Sequence, residues 1–314
     1  MEIGALGLRF VDVGCSGSLP PRWAPLADCI DYLGFDPDPR ALERLDQTPS
    51  GFRSHRVLPH AVAGRSGPAT LIRTRSPHCS SLLEPRRAWL ERFSYRDLFQ
   101  ELDRGEVACV TLDDAARSHG VRADVLKLDS QGLEVPILEA AGSLLDDVVV
   151  LDLEAGFVEN YVGESTLAEV DVFLRSRGFL LFDLEARHVT RVAGPETRGQ
   201  PLWAETLWLR DWLSERSFGV PAPEPTPDRL LRSIFLASFL GHADYARELV
   251  RHFEACGVLA AGRAEVACAE AARRAQRRRP GRHPRLRRGV AGLASLAPVR
   301  LRRALVAAIQ DSLA

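Results

Sequence analysis

Three aspartates stand at the ends of short apolar runs that are typical of buried β-strands. Asp12 lies at the tip of the first run, residues 8–13, Asp36 follows the second run, and Asp129 follows a later one at residues 125–128. Ligands of open α/β sheets bind at the carboxyl ends of the parallel strands. We therefore expect the three carboxylates to converge on one ligand site, although each alone is also typical of a solvated strand end or a helix cap.

The turn after the first run indicates the sign of the ligand's charge. Asp12, Gly14 and Gly17 follow the dinucleotide-binding pattern G-x-G-x-x-G, except that a carboxylate replaces the first glycine. A carboxylate near a pyrophosphate is repelled by about 1–4 kcal/mol per charge pair, whereas an ammonium or a sulfonium group is attracted. Asp36 is placed to accept hydrogen bonds from ribose hydroxyls. The pattern therefore predicts a cationic nucleoside, S-adenosylmethionine, as the cofactor.

Few side chains could accept a proton beside such a cofactor. Glu154 follows the apolar run at residues 148–153, and Asp129 follows the neighbouring strand. A nucleophile that carries a proton needs a proton acceptor as it takes up the methyl group. We predict Asp129 as a cofactor ligand near the methionine end and Glu154 as the acid or base on the acceptor side. A strand-end acid that caps the next segment is the alternative for Glu154, and His60 is more typical of a loop histidine.

Strand-like and helix-like segments alternate along residues 8–210. The predicted strands include 57–62, 107–112, 147–153, 179–184 and 204–209, and the predicted helices include 38–45, 84–102 and 167–177. This alternation favours an α/β fold with a doubly wound, mostly parallel sheet and helices on both faces. The last two strands are candidates for an antiparallel edge.

The composition divides the chain into regions. Four prolines between Pro221 and Pro227 indicate a stiff linker. We therefore predict a catalytic domain at residues 1–215, a linker at 216–227 and a small helical, arginine-rich C-terminal extension at 228–314.

The charge is uneven although the formal net charge is only −1. From Arg263 onward there are thirteen arginines and three acids, and nine of these arginines fall within residues 273–288. With an amphipathic pattern at 299–313, this tail is a candidate for peripheral contact with an anionic membrane. A solvated or partner-covered helix is the alternative. Aromatic residues are not interleaved with the arginines, so we expect no specific nucleic-acid binding.

Several classes of protein are disfavoured. No stretch approaches the roughly 20 consecutive apolar residues that a membrane-spanning helix needs, and the N-terminus lacks the layout of a secretory signal. A cytoplasmic location is therefore expected. The six cysteines show no C-x-x-C pair and no metal-ligand spacing, so we expect reduced thiols and no metal site.

Five segments together resemble the FkbM family of S-adenosylmethionine-dependent methyltransferases. They are the turn at 11–18, residues 57–62, the segment Ser80-Ser81-Leu82, residues 110–113 and above all ADVLKLDSQGLEVPILEAAG at 123–142. The resemblance implies a class I methyltransferase (Rossmann-like) fold and O-methylation, commonly of a sugar hydroxyl in a polysaccharide, glycolipid or natural product. The sequence departs from the family pattern at Ser18 and Gln131, where glycine and an acidic residue are common.

The strand ends and this resemblance together predict the cofactor contacts. They are Asp12, Val13, Gly14, Cys15, Ser16, Gly17, Asp36, Pro37, Ala61, Val62, Ser81, Asp129 and Ser130. Ala61 and Val62 are expected beside the adenine, and the loop that holds Ser81 is a candidate lid.

The expected partner is a small-molecule or glycan acceptor, and a homo-oligomer is left open. The sequence is also compatible with two other functions. One is a nicotinamide-dependent oxidoreductase on the same architecture, and the other is a non-catalytic, polyanion-binding adaptor.

Overall fold

The structure is a computed structural model that describes residues 7–15, 19–46, 51–194 and 198–276. All of these residues belong to one compact unit, which ends at Arg277. The part of the predicted basic tail that follows residue 276 lies outside the described residues.

Within the described chain, seven strands form the central sheet. They are β1 (Leu8–Val13), β2 (Ile30–Phe35), β3 (Ser54–Leu58), β7 (Val125–Leu128), β8 (Val150–Gly156), β9 (Phe179–Val189) and β10 (Gln200–Arg210). Their order is β3-β2-β1-β7-β8-β10-β9. The first five are parallel to one another, and β10 is antiparallel to both of its neighbours. The predicted mostly parallel sheet with an antiparallel edge is confirmed.

A smaller sheet consists of β4 (Ala61–Val62), β5 (Gly67–Thr74) and β6 (Glu101–Val110), in the order β4-β6-β5. The prediction of a single strand at residues 57–62 was therefore wrong. The chain leaves the central sheet after Leu58 and enters the smaller sheet at Ala61.

The prediction of a helix at residues 84–102 was also wrong. Only α2 (Arg87–Leu90) and a 3₁₀ turn at Arg96–Phe99 are helical there. The backbone amides of Arg86 and Ser94 donate to the carbonyls of Asn160 and Thr190. Hydrogen bonds to distant segments thus replace those that a continuous helix would make along its own chain.

The remaining helices connect the strands or follow the sheet. They are α1 (Pro39–Asp46), α3 (Leu112–His119), α4 (Glu134–Glu139), α5 (Leu144–Asp147), α6 (Leu167–Ser176), α7 (Ser214–Phe218), α8 (Pro227–Leu240), α9 (Ala243–Ala255) and α10 (Arg263–Gln276). Pro136 lies in the first turn of α4, where proline removes no helical hydrogen bond. Within the described residues, no helix is both long and apolar enough to cross a membrane.

Each face of the central sheet has its own apolar core. Val11, Leu126 and Leu151 share one core with α3, α4 and α6. The opposite face, which includes Phe10 and Val150, shares its core with α8, α9 and α10. The three C-terminal helices therefore cover apolar surface that the strands would otherwise expose to water, and they stabilise the sheet.

Candidate functional site

A cleft opens at the carboxyl ends of β1, β2 and β7. Its walls come from these strand ends, from β4 and from the loop at residues 77–82. The lining residues are Val13, Gly14, Phe35, Asp36, Pro37, Asp38, Ala61, Val62, Leu71, Pro77, His78, Ser80, Ser81, Leu82, Asp129, Ser130, Gln131 and Leu133. The cleft thus lies where parallel α/β sheets bind their ligands.

Most of the predicted cofactor contacts come together in this cleft. Those that line it are Val13, Gly14, Asp36, Pro37, Ala61, Val62, Ser81, Asp129 and Ser130. Asp12, Cys15 and the predicted base Glu154 do not line it. Ser16 and Gly17 lie outside the described residues.

Gly14 follows β1 and lies directly against the backbone of Asp129, which follows β7. Its φ is +74°, and a Cβ at this position would collide with the carbonyl oxygen of Asp129. Its amide donates to the carbonyl of Phe35 at 2.9 Å, which also ties the turn to β2. Only glycine accommodates both this conformation and this close approach.

Asp36 places a buried carboxylate at the end of β2. Its side chain is only 5% exposed, and its Oδ1 accepts a hydrogen bond from the amide of Asp38 at 2.8 Å. Burial raises the pKa of Asp36 to about 7. The hydrogen bond from the amide of Asp38 lowers this pKa, whereas the nearby carboxylates of Asp38, Asp12 and Asp129 raise it further. A ligand that donates hydrogen bonds or brings positive charge would stabilise the ionised form.

The carboxylate of Glu134 holds the loop that follows Asp129. The Glu134 carboxylate accepts hydrogen bonds from the Ser130 hydroxyl at 2.7 Å and from the amides of Ser130 and Gly132 at 3.2 and 3.4 Å. Burial raises the pKa of Glu134 to about 7 against the lowering effect of these hydrogen bonds. Sequence reasoning missed this residue because an acid in the first turn of a helix is common.

Asp12 lies behind the cleft. Its carboxylate accepts hydrogen bonds from the Tyr32 hydroxyl at 2.9 Å and from Lys127 Nζ at 2.8 Å. Burial alone would lower the pKa of Lys127, but Asp12 and Asp129 outweigh it and raise the pKa. The structure therefore gives Asp12 an ion pair with Lys127, whereas Asp36 and Asp129 line the cleft.

Glu154 lies on β8, directly opposite Glu205 on β10. Its side chain is partly buried, and no donor among the described residues forms a hydrogen bond with its carboxylate. Glu205, in contrast, accepts hydrogen bonds from Arg22 at 3.1 Å and from Arg187. Burial raises the pKa of Glu154 well above its usual range, and the charges of Asp129, Glu205 and Glu134 add to this effect.

Two segments rich in aromatic residues are joined to each other by backbone hydrogen bonds, and one of them directly follows β8. We call residues 84–95 and 157–163 the aromatic loops. The Arg86 amide donates to the Asn160 carbonyl, and the Val162 amide donates to the Glu84 carbonyl, each at 2.8 Å. The side-chain oxygen of Asn160 accepts hydrogen bonds from the Trp89 indole at 3.3 Å and from the Tyr95 hydroxyl at 3.2 Å. Neither contact has a signal in the sequence, because the partners are more than sixty residues apart.

The described residues contain no cluster of histidine, cysteine, aspartate or glutamate that could hold a metal ion. The ionisable groups that line the cleft are three aspartates and one histidine, and no lysine or arginine is among the described lining residues. Arg40, which is not a lining residue, forms an ion pair with Asp38, so Asp36 and Asp129 are the carboxylates that favour a ligand with positive charge.

A mostly parallel seven-stranded sheet with an antiparallel edge and a ligand cleft at the ends of β1, β2 and β7 defines a Rossmann-like methyltransferase fold. The model of the methyltransferase FkbM domain matches residues 17–181, just over half of the chain. The chain belongs to this family, as the resemblance in its sequence predicted. No curated protein and no solved structure matches the chain significantly. Family membership supports a methyltransferase over the oxidoreductase and adaptor alternatives.

Proposed function

We propose that this methyltransferase transfers a methyl group from S-adenosylmethionine to a hydroxyl oxygen of a sugar-containing acceptor. The observation that carries the donor assignment is the acidic lining of the cleft, with Asp36 and Asp129 at neighbouring strand ends. S-adenosylmethionine carries an ammonium and a sulfonium group, which such a lining attracts. The pyrophosphate of a dinucleotide would be repelled by the same carboxylates.

The residues present suit this cofactor. Asp36 is placed to accept hydrogen bonds from the ribose hydroxyls. Ala61, Val62 and Leu133 supply an apolar wall for the adenine. Asp129 is the carboxylate assigned to the methionine end, and the backbone at Gly14 leaves room for close approach because no side chain projects there.

Methyl transfer to a hydroxyl requires a group of the protein to accept the hydroxyl proton. When bound, S-adenosylmethionine supplies a methyl group on a good leaving group, so the protein chiefly provides alignment and a dry site. As the bond from the acceptor oxygen to the methyl carbon forms and the carbon–sulfur bond breaks, the hydroxyl proton passes to the Glu154 carboxylate. Burial raises the pKa of Glu154, and a carboxylate with a raised pKa is a stronger proton acceptor.

The acceptor class rests on the family and on the aromatic loops. Trp89 and Tyr95 both donate to Asn160, which follows β8, and Tyr95 also packs against Trp203 with ring centroids 5.9 Å apart. Aromatic rings with polar groups at their edges suit a ligand that has both apolar and hydroxylated faces, as a sugar ring has. A cytoplasmic location, membrane contact through the basic tail and a homo-oligomeric state are further proposals that do not affect this chemistry.

The test is a transfer assay with S-adenosylmethionine labelled in its methyl group and a panel of carbohydrates and hydroxylated glycolipids. We expect label in at least one hydroxylated acceptor, in a bond that survives mild base, because methyl ethers resist base and methyl esters do not. The matched control is the same acceptor with its hydroxyls blocked, which should take up no label. Label found only on an amine or a carboxylate would overturn the assignment to a hydroxyl.

A further inference from the structure

Gln131 has an unusual backbone conformation. Its φ is +56°, and among the described residues it is the only one other than glycine with a positive φ. A side chain in this region of conformational space is strained, and such strain persists only where surrounding contacts hold it. The contacts of Gln131 therefore indicate which role this strained conformation has in the site.

The side chain of Gln131 joins two parts of the site. Its Nε2 donates a hydrogen bond to Oδ1 of Asp129 at 2.6 Å. On its other side, the Tyr161 hydroxyl lies 2.9 Å from Oε1 of Gln131 and 2.9 Å from the carbonyl of Cys79, so one proton serves two acceptors. The amide is thus oriented with its donor toward the carboxylate.

The backbone around Gln131 is held as firmly as its side chain. The Ser81 hydroxyl donates to the carbonyl of Gln131 at 2.8 Å. The next residue, Gly132, has a φ of +111°, and a Cβ there would lie 2.9 Å from Leu83 Cδ1. Glu134 holds the amides on either side of Gln131, those of Ser130 and Gly132. This network fixes the position from which the Gln131 amide reaches Asp129.

Only one oxygen of Asp129 is engaged in this way. No described donor forms a hydrogen bond with its second oxygen, and the residue lines the cleft. We propose that Gln131 is a positioning residue that holds Oδ1 of Asp129 and thereby presents the other oxygen to the positively charged end of the methyl donor. This inference rests on the proposed function and specifies how the chain orients the cofactor's charged end.

A purely structural role for Gln131 makes a different prediction about the affinity for S-adenosylmethionine. Glycine accepts a φ of +56° without strain, so Gln131→Gly should keep the melting temperature near that of the wild type while it removes the amide. If Gln131 positions Asp129, this variant binds S-adenosylmethionine about tenfold more weakly, as expected for the loss of a hydrogen bond to a charged group. If the residue only supports the loop, affinity follows stability and stays unchanged.

A double-mutant cycle tests whether the effect passes through Asp129. Binding of S-adenosylmethionine is measured by calorimetry for the wild type, Gln131→Leu, Asp129→Ala and the double variant, with thermal unfolding of each as a check on folding. We expect Gln131→Leu to weaken binding about tenfold in the wild-type background and less than about twofold in the Asp129→Ala background. Gln100→Leu is the control, because Gln100 is exposed and its side chain does not line the cleft.

The outcomes separate this inference from the proposed function. Equal losses from Gln131→Leu in both backgrounds, or no loss in Gln131→Gly, would overturn the positioning role while the cofactor assignment stands. A wild-type protein that does not bind S-adenosylmethionine would overturn both.

Discussion

Replacement of Glu154 by glutamine is expected to lower kcat for methyl transfer by about 10²–10⁴-fold, the range that general bases contribute. The substitution keeps the shape of the side chain and removes its ability to accept a proton. Affinity for S-adenosylmethionine should stay within about threefold of the wild type, because Glu154 does not line the cofactor cleft and the loss belongs to the chemical step.

The pH dependence of the reaction gives an independent readout of the same residue. Burial raises the pKa of Glu154, as do Asp129, Glu205 and Glu134, whereas Lys127 lowers it. A base acts in its unprotonated form, so wild-type kcat should rise with pH through this raised pKa and level off above it. The Glu154→Gln variant should lack this rise.

Glu215→Gln is the matched control, because it makes the same chemical change at an exposed glutamate of α7 that lies in neither the cleft lining nor the aromatic loops. It should leave both kcat and the pH profile unchanged. A Glu154→Gln variant that retains wild-type kcat across the pH range would show that another group, or water, takes the proton.

Replacement of Phe235 by alanine is expected to lower the free energy of unfolding of the whole described unit by about 3–5 kcal/mol. Phe235 is fully buried in α8. It stacks on Phe239, which in turn stacks on Trp23 with centroids 6.4 Å apart. Truncation at this site would leave a cavity between the C-terminal helices and the central sheet.

Denaturant unfolding followed by tryptophan fluorescence measures this effect. Trp23 and Trp208 belong to the cores on opposite faces of the sheet, so both should report one shifted transition. Phe218→Ala is the control, since Phe218 is 65% exposed and its loss should change stability by about 0.5 kcal/mol or less. Two separate unfolding transitions, of which Phe235→Ala shifts only one, would mean that α8, α9 and α10 unfold independently of the central sheet.

Much of the fold and of the cofactor cleft could be predicted from the sequence. The runs that form β1, β2 and β7 are mostly apolar, and each is followed by a glycine or an acid. Because these strands are parallel, Gly14, Asp36 and Asp129 lie at the same edge of the sheet. This inference needs only strand periodicity and the rule that parallel strands place their ligands at their carboxyl ends. The family match over residues 17–181 agrees with it.

Long-range contacts explain what the sequence did not reveal. Residues 84–102 have helix-forming composition, yet their backbone bonds to residues 160 and 190, and local propensity yields to such tertiary contacts. Asp12 forms an ion pair with Lys127, and the side chain of Gln131 is held by the hydroxyl of Tyr161. No periodic pattern links residues so far apart in the chain, so their pairing became visible only in the folded structure.

The proposed function depends most on the charge of the ligand that the cleft accepts. Calorimetric titration of the purified wild-type protein with S-adenosylmethionine, and separately with NAD⁺, tests this most directly. We expect one S-adenosylmethionine per chain, with a Kd within the roughly 1 μM to 1 mM range common for enzyme substrates, and no heat of binding with NAD⁺. Binding of NAD⁺ without binding of S-adenosylmethionine would contradict the account.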